Sequence, residues 1–69
     1  MLGKLVDLRQ VSQGGPEQWQ GRLSDGRNVF ARERHGQVRI DIEYETVHDG
    51  LGENAYDVLC TLFEMPAPK

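Results

Sequence analysis

The stretch VRIDIEYET, residues 38–46, decides the fold because its apolar and charged side chains alternate without a break. Side chains of an extended chain point alternately to the two faces of a sheet, so this pattern is typical of a half-buried strand. The apolar series consists of Val38, Ile40, Ile42 and Tyr44. The sequence therefore predicts one long strand over residues 38–46, with an apolar inner face and a charged outer face.

A turn at His35-Gly36 connects this strand to the one before it. A two-residue turn here places Ala31 opposite Ile40 and Val29 opposite Ile42, which gives the two strands a common apolar face.

The preceding turn must contain an odd number of residues. A two-residue turn at Asp25-Gly26 would put Arg22 beside Val29 and mix the two faces, because a one-residue slip exchanges the faces of a whole strand. A three-residue loop that includes Ser24, with the glycine left-handed, pairs Gly21 with Val29 instead. We therefore predict the three-residue loop.

The chain before this hairpin is less regular. A weak first strand is predicted over residues 5–11, with Val6 and Leu8 on one face. Residues 12–16 contain two glycines and a proline and are predicted to form a loop. A second strand is predicted over residues 19–23.

A short helix follows a segment, residues 47–52, that is predicted to be loosely structured. Asn54 is the expected N-cap, with Asp57 at the third helical position in a capping-box arrangement. Pro66 is expected to end the helix. Its apolar side chains recur at helical spacing and would pack on the sheet: Ala55, Leu59, Leu62 and Phe63.

These elements predict an α+β fold, an antiparallel four-stranded β-meander packed on one face by a single C-terminal α-helix. Residues 1–69 are expected to form a single small β-β-β-β-α domain, with residues 66–69 a frayed tail. The core of so short a chain is thin, and its net stability is expected to be about 3–5 kcal/mol.

Composition narrows the function classes. The net charge of −3 argues against strong, unspecific binding of nucleic acids. The single cysteine, Cys60, cannot form an internal disulfide, which fits a reducing compartment, and no apolar run resembles a signal peptide or a membrane span. We expect a complete, cytoplasmic, bacterial or phage-type protein.

The predicted sheet face away from the helix is unusually rich in arginine. Phe30 lies at its centre, and Arg32 lies directly opposite Arg39, where like charges are mildly unfavourable. An exposed aromatic ringed by arginines is typical of an interface hot spot. The full set on this face is Gln18, Gln20, Arg22, Asn28, Phe30, Arg32, Arg34, Gln37, Arg39, Asp41 and Glu43.

Several interpretations of this face stay open. The first is a solvated surface, the second is a face that binds a protein partner or a second copy of the chain, and the third is a face that binds single-stranded RNA or DNA. We favour partner binding, with Phe30, Arg32 and Arg39 at the centre of the contact and Arg22 and Arg34 at its rim.

An acidic surface gives a further alternative. Acidic residues accumulate towards the C-terminus, where they would suit a phage-type inhibitory protein or simply a solvated surface. The series is Asp41, Glu43, Glu45, Asp49, Glu53, Asp57 and Glu64.

No catalytic, cofactor or metal site is predicted. His48, Asp49 and Cys60 are the nearest approach to a catalytic set, but a cysteine on the flank of a helix usually behaves as a small hydrophobe. A zinc site needs about four ligands, and the chain offers only His35, His48 and Cys60 besides its carboxylates. The expectation is a non-enzymatic protein that acts by binding.

Overall fold

The computed structural model describes residues 1–11 and 17–66, which form one antiparallel sheet of five strands covered by one helix. The α+β class is therefore confirmed, whereas the predicted number of four strands is wrong. The predicted loop over residues 12–16 lies outside the described residues, as does most of the predicted tail, residues 67–69. The elements, neighbours in the sheet in chain order, are β1 (Leu5–Gln10), β2 (Glu17–Leu23), β3 (Asn28–Arg34), β4 (Gln37–Ile42), β5 (Glu45–Leu51) and α1 (Ala55–Leu62).

The predicted long strand over residues 38–46 is divided by a turn at Glu43-Tyr44. β4 ends at Ile42 and β5 begins at Glu45, so these two residues are paired across a two-residue turn. Glu43 has a φ of 53°, which is uncommon for a residue other than glycine. Tyr44, predicted on the apolar face, is fully exposed. Alternation of apolar and charged residues indicates which face of the sheet each side chain lies on, but not whether the chain reverses its direction. The pattern therefore continues through the turn and does not reveal it.

The segment predicted to be loosely structured, residues 47–52, is largely the fifth strand. β5 pairs with β4 along its length, although the register shifts by one residue beside Ile40, so that Val47 is an extra residue in the ladder. Strand β4 is therefore an interior strand. In a four-stranded meander with neighbours in chain order, β4 would be an edge available for pairing with another chain, and β5 covers that edge instead.

The hairpin registers are as predicted. Across the β3–β4 turn, Ala31 pairs with Ile40 and Arg32 with Arg39, and His35 and Gly36 both have positive φ.

The three-residue loop between β2 and β3 is also confirmed. Gly21 pairs with Val29, and the N–H of Leu23 donates to the carbonyl of Arg27. Gly26 has a φ of 94°. Within the loop, the backbone N–H of Arg27 donates to Asp25 and holds the pKa of that carboxyl below its usual value, and the Arg27 guanidinium at 2.8 Å adds to this effect.

Strand β1 departs from its predicted alternation. A bulge lies between Leu5 and Asp7, so Leu5 is fully buried, Val6 is exposed and Leu8 packs against the edge of the core. The prediction that Val6 and Leu8 share one face is therefore wrong in its register.

Helix α1 begins as predicted and ends early. The side chain of Asn54 accepts from the backbone N–H of Asp57 at 2.8 Å, as an N-cap does. Its amide donates to the Asp57 carboxylate at 3.0 Å, so the second bond of the pair joins two side chains rather than reaching the Asn54 backbone N–H of a capping box. The helix ends at Leu62 rather than at Pro66, because the following residues turn to β1. The N–H of Leu5 donates to the carbonyl of Glu64 at 2.8 Å, and the N–H of Glu64 donates to Gly3 at 2.9 Å.

The core lies between α1 and one face of the sheet. Three of the four predicted apolar helix residues are buried, Leu62 is half-buried, and Trp19 packs at the edge. Leu5 joins the core although the sequence did not indicate it. The buried residues are Leu5, Leu23, Val29, Ala31, Val38, Ile40, Ile42, Ala55, Leu59 and Phe63. Within residues 1–11 and 17–66, no helix is long and apolar enough to cross a membrane.

Candidate functional site

The face of the sheet away from α1, here called the open face, follows from the two hairpin registers. In both hairpins, residues on the open face pair with one another and alternate with core residues. Arg32 pairs with Gln18 on one side and with Arg39 on the other, while Phe30 pairs with Gln20 and Asp41. The centre of the open face is therefore formed by side chains of β2, β3 and β4.

All five predicted site residues lie on the open face. Phe30 is 42% exposed. Arg32 lies two residues further along β3, and Arg39 pairs with Arg32 from β4. Arg22 and Arg34 lie towards opposite ends of the strands, which makes them rim residues. Glu43, predicted on the same face as a strand residue, is instead part of the β4–β5 turn.

A groove of about 470 Å³ runs over the centre of the open face. Its lining combines apolar, amide and charged side chains, as small recognition sites do. The residues that line it are Val11, Gln18, Trp19, Gln20, Phe30, Ala31, Arg32, Arg39 and Asp41.

The two arginines of the groove have different surroundings. Arg39 donates to Asp41 and to Thr46, each at 3.3 Å, and the Thr46 hydroxyl donates to Asp41 at 2.7 Å. Arg32, by contrast, has no carboxylate within ion-pair distance in the described chain. Arg32 therefore presents an uncompensated guanidinium with five donors at the middle of the sheet.

Strand β5 and the end of β1 add residues that the sequence did not assign to this face. Asp49 pairs with Arg39 and accepts from the Gln37 side chain at 2.9 Å. Val11 joins the groove because its N–H donates to the carbonyl of Gln18 and continues the ladder beyond β1. A strand-like pattern in residues 45–51 would have predicted the position of Asp49 on this face, but Asp49-Gly50 resembles a turn.

Acidic residues are interleaved with the arginines on the open face. Asp41 pairs with Phe30, and Asp49 pairs with Arg39. Asp7 pairs with Arg22 at the rim. The face therefore has both signs of charge, which suits a protein surface better than the uniform positive groove that tracks a nucleic-acid backbone.

The residues considered for catalysis are not brought together. His48 pairs with the buried Ile40 and so lies on the helix side, whereas its neighbour Asp49 lies on the open face. Cys60 is exposed on α1. Among residues 1–11 and 17–66, the buried Nε2 of His48 has no hydrogen-bond partner. The described residues contain no group of three or more side chains able to hold a metal ion.

On the helix side, Glu17 joins β2 to α1. One carboxylate oxygen accepts from the indole N–H of Trp19 at 2.6 Å, and the other accepts from the N–H of Ala55 at 2.9 Å. The Trp19 ring packs on Tyr56 with centroids 5.2 Å apart. Glu17 thus supplies the partner that the indole needs and satisfies an N–H at the helix N-terminus, where a negative charge is favourable.

Removing this carboxylate should weaken the fold. We expect Glu17→Ala to lower the free energy of unfolding by about 1–3 kcal/mol, because two donors lose their acceptors. Urea denaturation followed by tryptophan fluorescence measures it. Glu53→Ala removes the same charge from an exposed position next to the helix, and equal midpoints for the two variants would contradict the role of Glu17.

No protein-family model matches this sequence, and no curated protein or solved structure matches it either.

Proposed function

We propose that this protein is a small, non-enzymatic interaction domain that binds a protein partner, or a second copy of itself, through the open face. The observation that carries the proposal is the exposed ring of Phe30 beside Arg32 over a groove of about 470 Å³. Arg32 has no carboxylate within ion-pair distance in the part of the chain that the structure describes. Aromatic residues and arginine are the side chains most enriched at the centres of protein interfaces. The proposal places the domain in the cytoplasm, since its single cysteine is free.

Repulsion between like charges destabilises the open face of the isolated chain, and a partner would remove this repulsion. Arg32 and Arg39 repel each other across the β3–β4 pair, at a cost of about 0.2–1 kcal/mol. A carboxylate or an aromatic ring from a partner would compensate Arg32, because the guanidinium pairs bidentately with carboxylates and stacks on rings. Binding would therefore be centred on Phe30 and Arg32.

Binding of single-stranded nucleic acid is the second candidate, since Phe30 and the arginines combine a stacking ring with positive charge. It predicts that labelled single-stranded RNA or DNA shifts in mobility on binding, and that this shift is lost steeply as salt is raised. The interleaved Asp41 and Asp49 weigh against it.

A photo-crosslinking pair tests the proposal. The photoreactive residue p-benzoylphenylalanine replaces Phe30 in one variant and Tyr56, equally exposed at 41% but on the helix side, in the other. We expect protein adducts from position 30 in cells, with few from position 56. Adding Arg32→Glu to the position-30 variant should remove most of them.

The other outcomes separate the alternatives. Adducts at position 56 alone would favour the acidic surface near the helix, and nuclease-sensitive adducts at position 30 would favour nucleic acid. A position-30 variant that folds, by circular dichroism, and forms no adduct would overturn the proposal.

A further inference from the structure

We propose that the occupant of the open face is a second copy of this chain, packed face to face about a two-fold axis that runs across the strands. The inference rests on the proposed function, because it uses the same face. It goes further by naming the partner and the pairs of side chains that meet.

The open face contains two neighbouring rows of side chains, each crossing the sheet from β1 to β5. Cross-strand pairing defines both rows. The first row is Val11, Gln18, Arg32, Arg39 and Asp49. The second row, displaced by two residues along most strands, is Arg9, Gln20, Phe30, Asp41 and Thr46.

A two-fold axis midway between these rows superposes the first row of one copy on the second row of the other. On β4, Arg39 then faces Asp41 of the second copy, and on β3 Arg32 faces its Phe30. Each contact occurs twice because the axis is a two-fold. A charge pair and a cation–π pair thus form at the centre of the face, where the twist between packed sheets displaces residues least.

The arrangement uses the groups that the isolated chain leaves unused. Arg32, which has no carboxylate partner among the described residues, gains an aromatic face. Arg39 spends only two of its N–H groups on Asp41 and Thr46 within its own chain, so it retains donors for a second carboxylate.

An axis along the central strand does not give this complementarity. A two-fold axis parallel to the strands and centred on β3 places Arg32 against Arg32 of the second copy, so two uncompensated guanidinium groups meet. The charges on the open face therefore favour the axis across the strands over an axis parallel to β3.

The size of the face predicts a weak dimer. Five strands about 4.8 Å apart, with about six residues each at about 3.3 Å, give a face on the order of 500 Å² per copy. A standard interface buries about 800 Å² per partner, so we expect reversible dimers with a dissociation constant on the order of 10⁻⁵ M.

Charge exchange on β4 tests the arrangement. In Arg39→Asp alone, carboxylates face each other across the axis, and in Asp41→Arg alone, guanidinium groups do. We expect each change to weaken dimerisation by at least about tenfold. Mixing the two variants should restore a dimer that contains one chain of each, and the double variant Arg39→Asp, Asp41→Arg should dimerise by itself. Sedimentation velocity over a concentration series measures all four, and circular dichroism checks their folding.

The chain offers a matched control in the β2–β3 loop. Arg27 and Asp25 form another exposed ion pair two residues apart, with N–O distance 2.8 Å. The variants Arg27→Asp and Asp25→Arg change the net charge by the same amounts and should leave dimerisation unchanged.

The remaining outcomes overturn the inference. A wild-type chain that stays monomeric to about 1 mM, well above the expected dissociation constant, would do so, yet protein adducts from position 30 would still support binding of a different partner. Dimers that survive both single changes would use another surface. If the loop variants dissociate equally, net charge alone controls association.

Discussion

The Phe63→Ala protein is expected to be largely unfolded without denaturant. Phe63 is 1% exposed and follows α1 at the point where the chain returns to β1. Truncating a buried phenylalanine costs about 3–5 kcal/mol. The core of a domain below about 70–80 residues rarely supplies more than about 3–5 kcal/mol in all, so one truncation removes most of it. Far-ultraviolet circular dichroism with a urea titration measures the loss.

The chain's other phenylalanine is the matched control. Phe30→Ala deletes the same group from the open face, where the ring is 42% exposed, and should change the free energy of unfolding by only about 0.5 kcal/mol. If both variants unfold at the same urea concentration, the ring of Phe30 belongs to the core and the open face is not available to a partner.

The second large effect is expected at Gly21. A Cβ at this position would lie 2.6 Å from the backbone carbonyl oxygen of Asp7 and 3.1 Å from a methyl group of Leu5. A backbone oxygen cannot rotate away as a side chain can, so β1 must shift from β2. We expect Gly21→Ala to destabilise the fold by about 1–3 kcal/mol, measured by thermal and urea denaturation.

Gly50→Ala gives the comparison, because Gly50 also lies in a strand. The nearest atom to a Cβ there is Nε2 of His48 at 3.7 Å, an ordinary contact. This variant should be as stable as the wild type, and destabilisation equal to that of Gly21→Ala would show that β-strand glycines are sensitive for a reason other than crowding.

The residues of the open face could be predicted because they depend only on whether each of two loops contains an odd or an even number of residues. A three-residue loop before β3 and a two-residue loop after it fix which side chains share a face, and the second loop carries a glycine that marks it. Phe30, Arg32 and Arg39 were therefore assigned to one surface from local chemistry alone.

The fifth strand could not be predicted in the same way. Its turn consists of Glu43 and Tyr44, neither of which favours a reversal, and Glu43 accepts a left-handed conformation only because the flanking strands hold it. The bulges beside Leu5 and at Val47 likewise leave no local mark on the sequence.

Long-range polar contacts are the other part that the sequence conceals. Glu17 meets the helix N-terminus 38 positions further along the chain. Such a contact has no spacing rule, because it depends on how the sheet twists beneath α1. The network of Arg39, Asp41 and Thr46 is local in the chain, but it was also hidden because it depends on the unexpected turn that brings β5 beside β4.

The hydrogen bonds between residues 2–5 and 62–64 have a consequence for biosynthesis. Every strand of the meander pairs with its neighbour in the chain, so hairpins can assemble as a nascent chain lengthens. Leu5 gains the Glu64 bond only after residue 64 has left the ribosome. Until then, the edge of β1 that does not pair with β2 is open near Leu5 to chaperones and to neighbouring nascent chains.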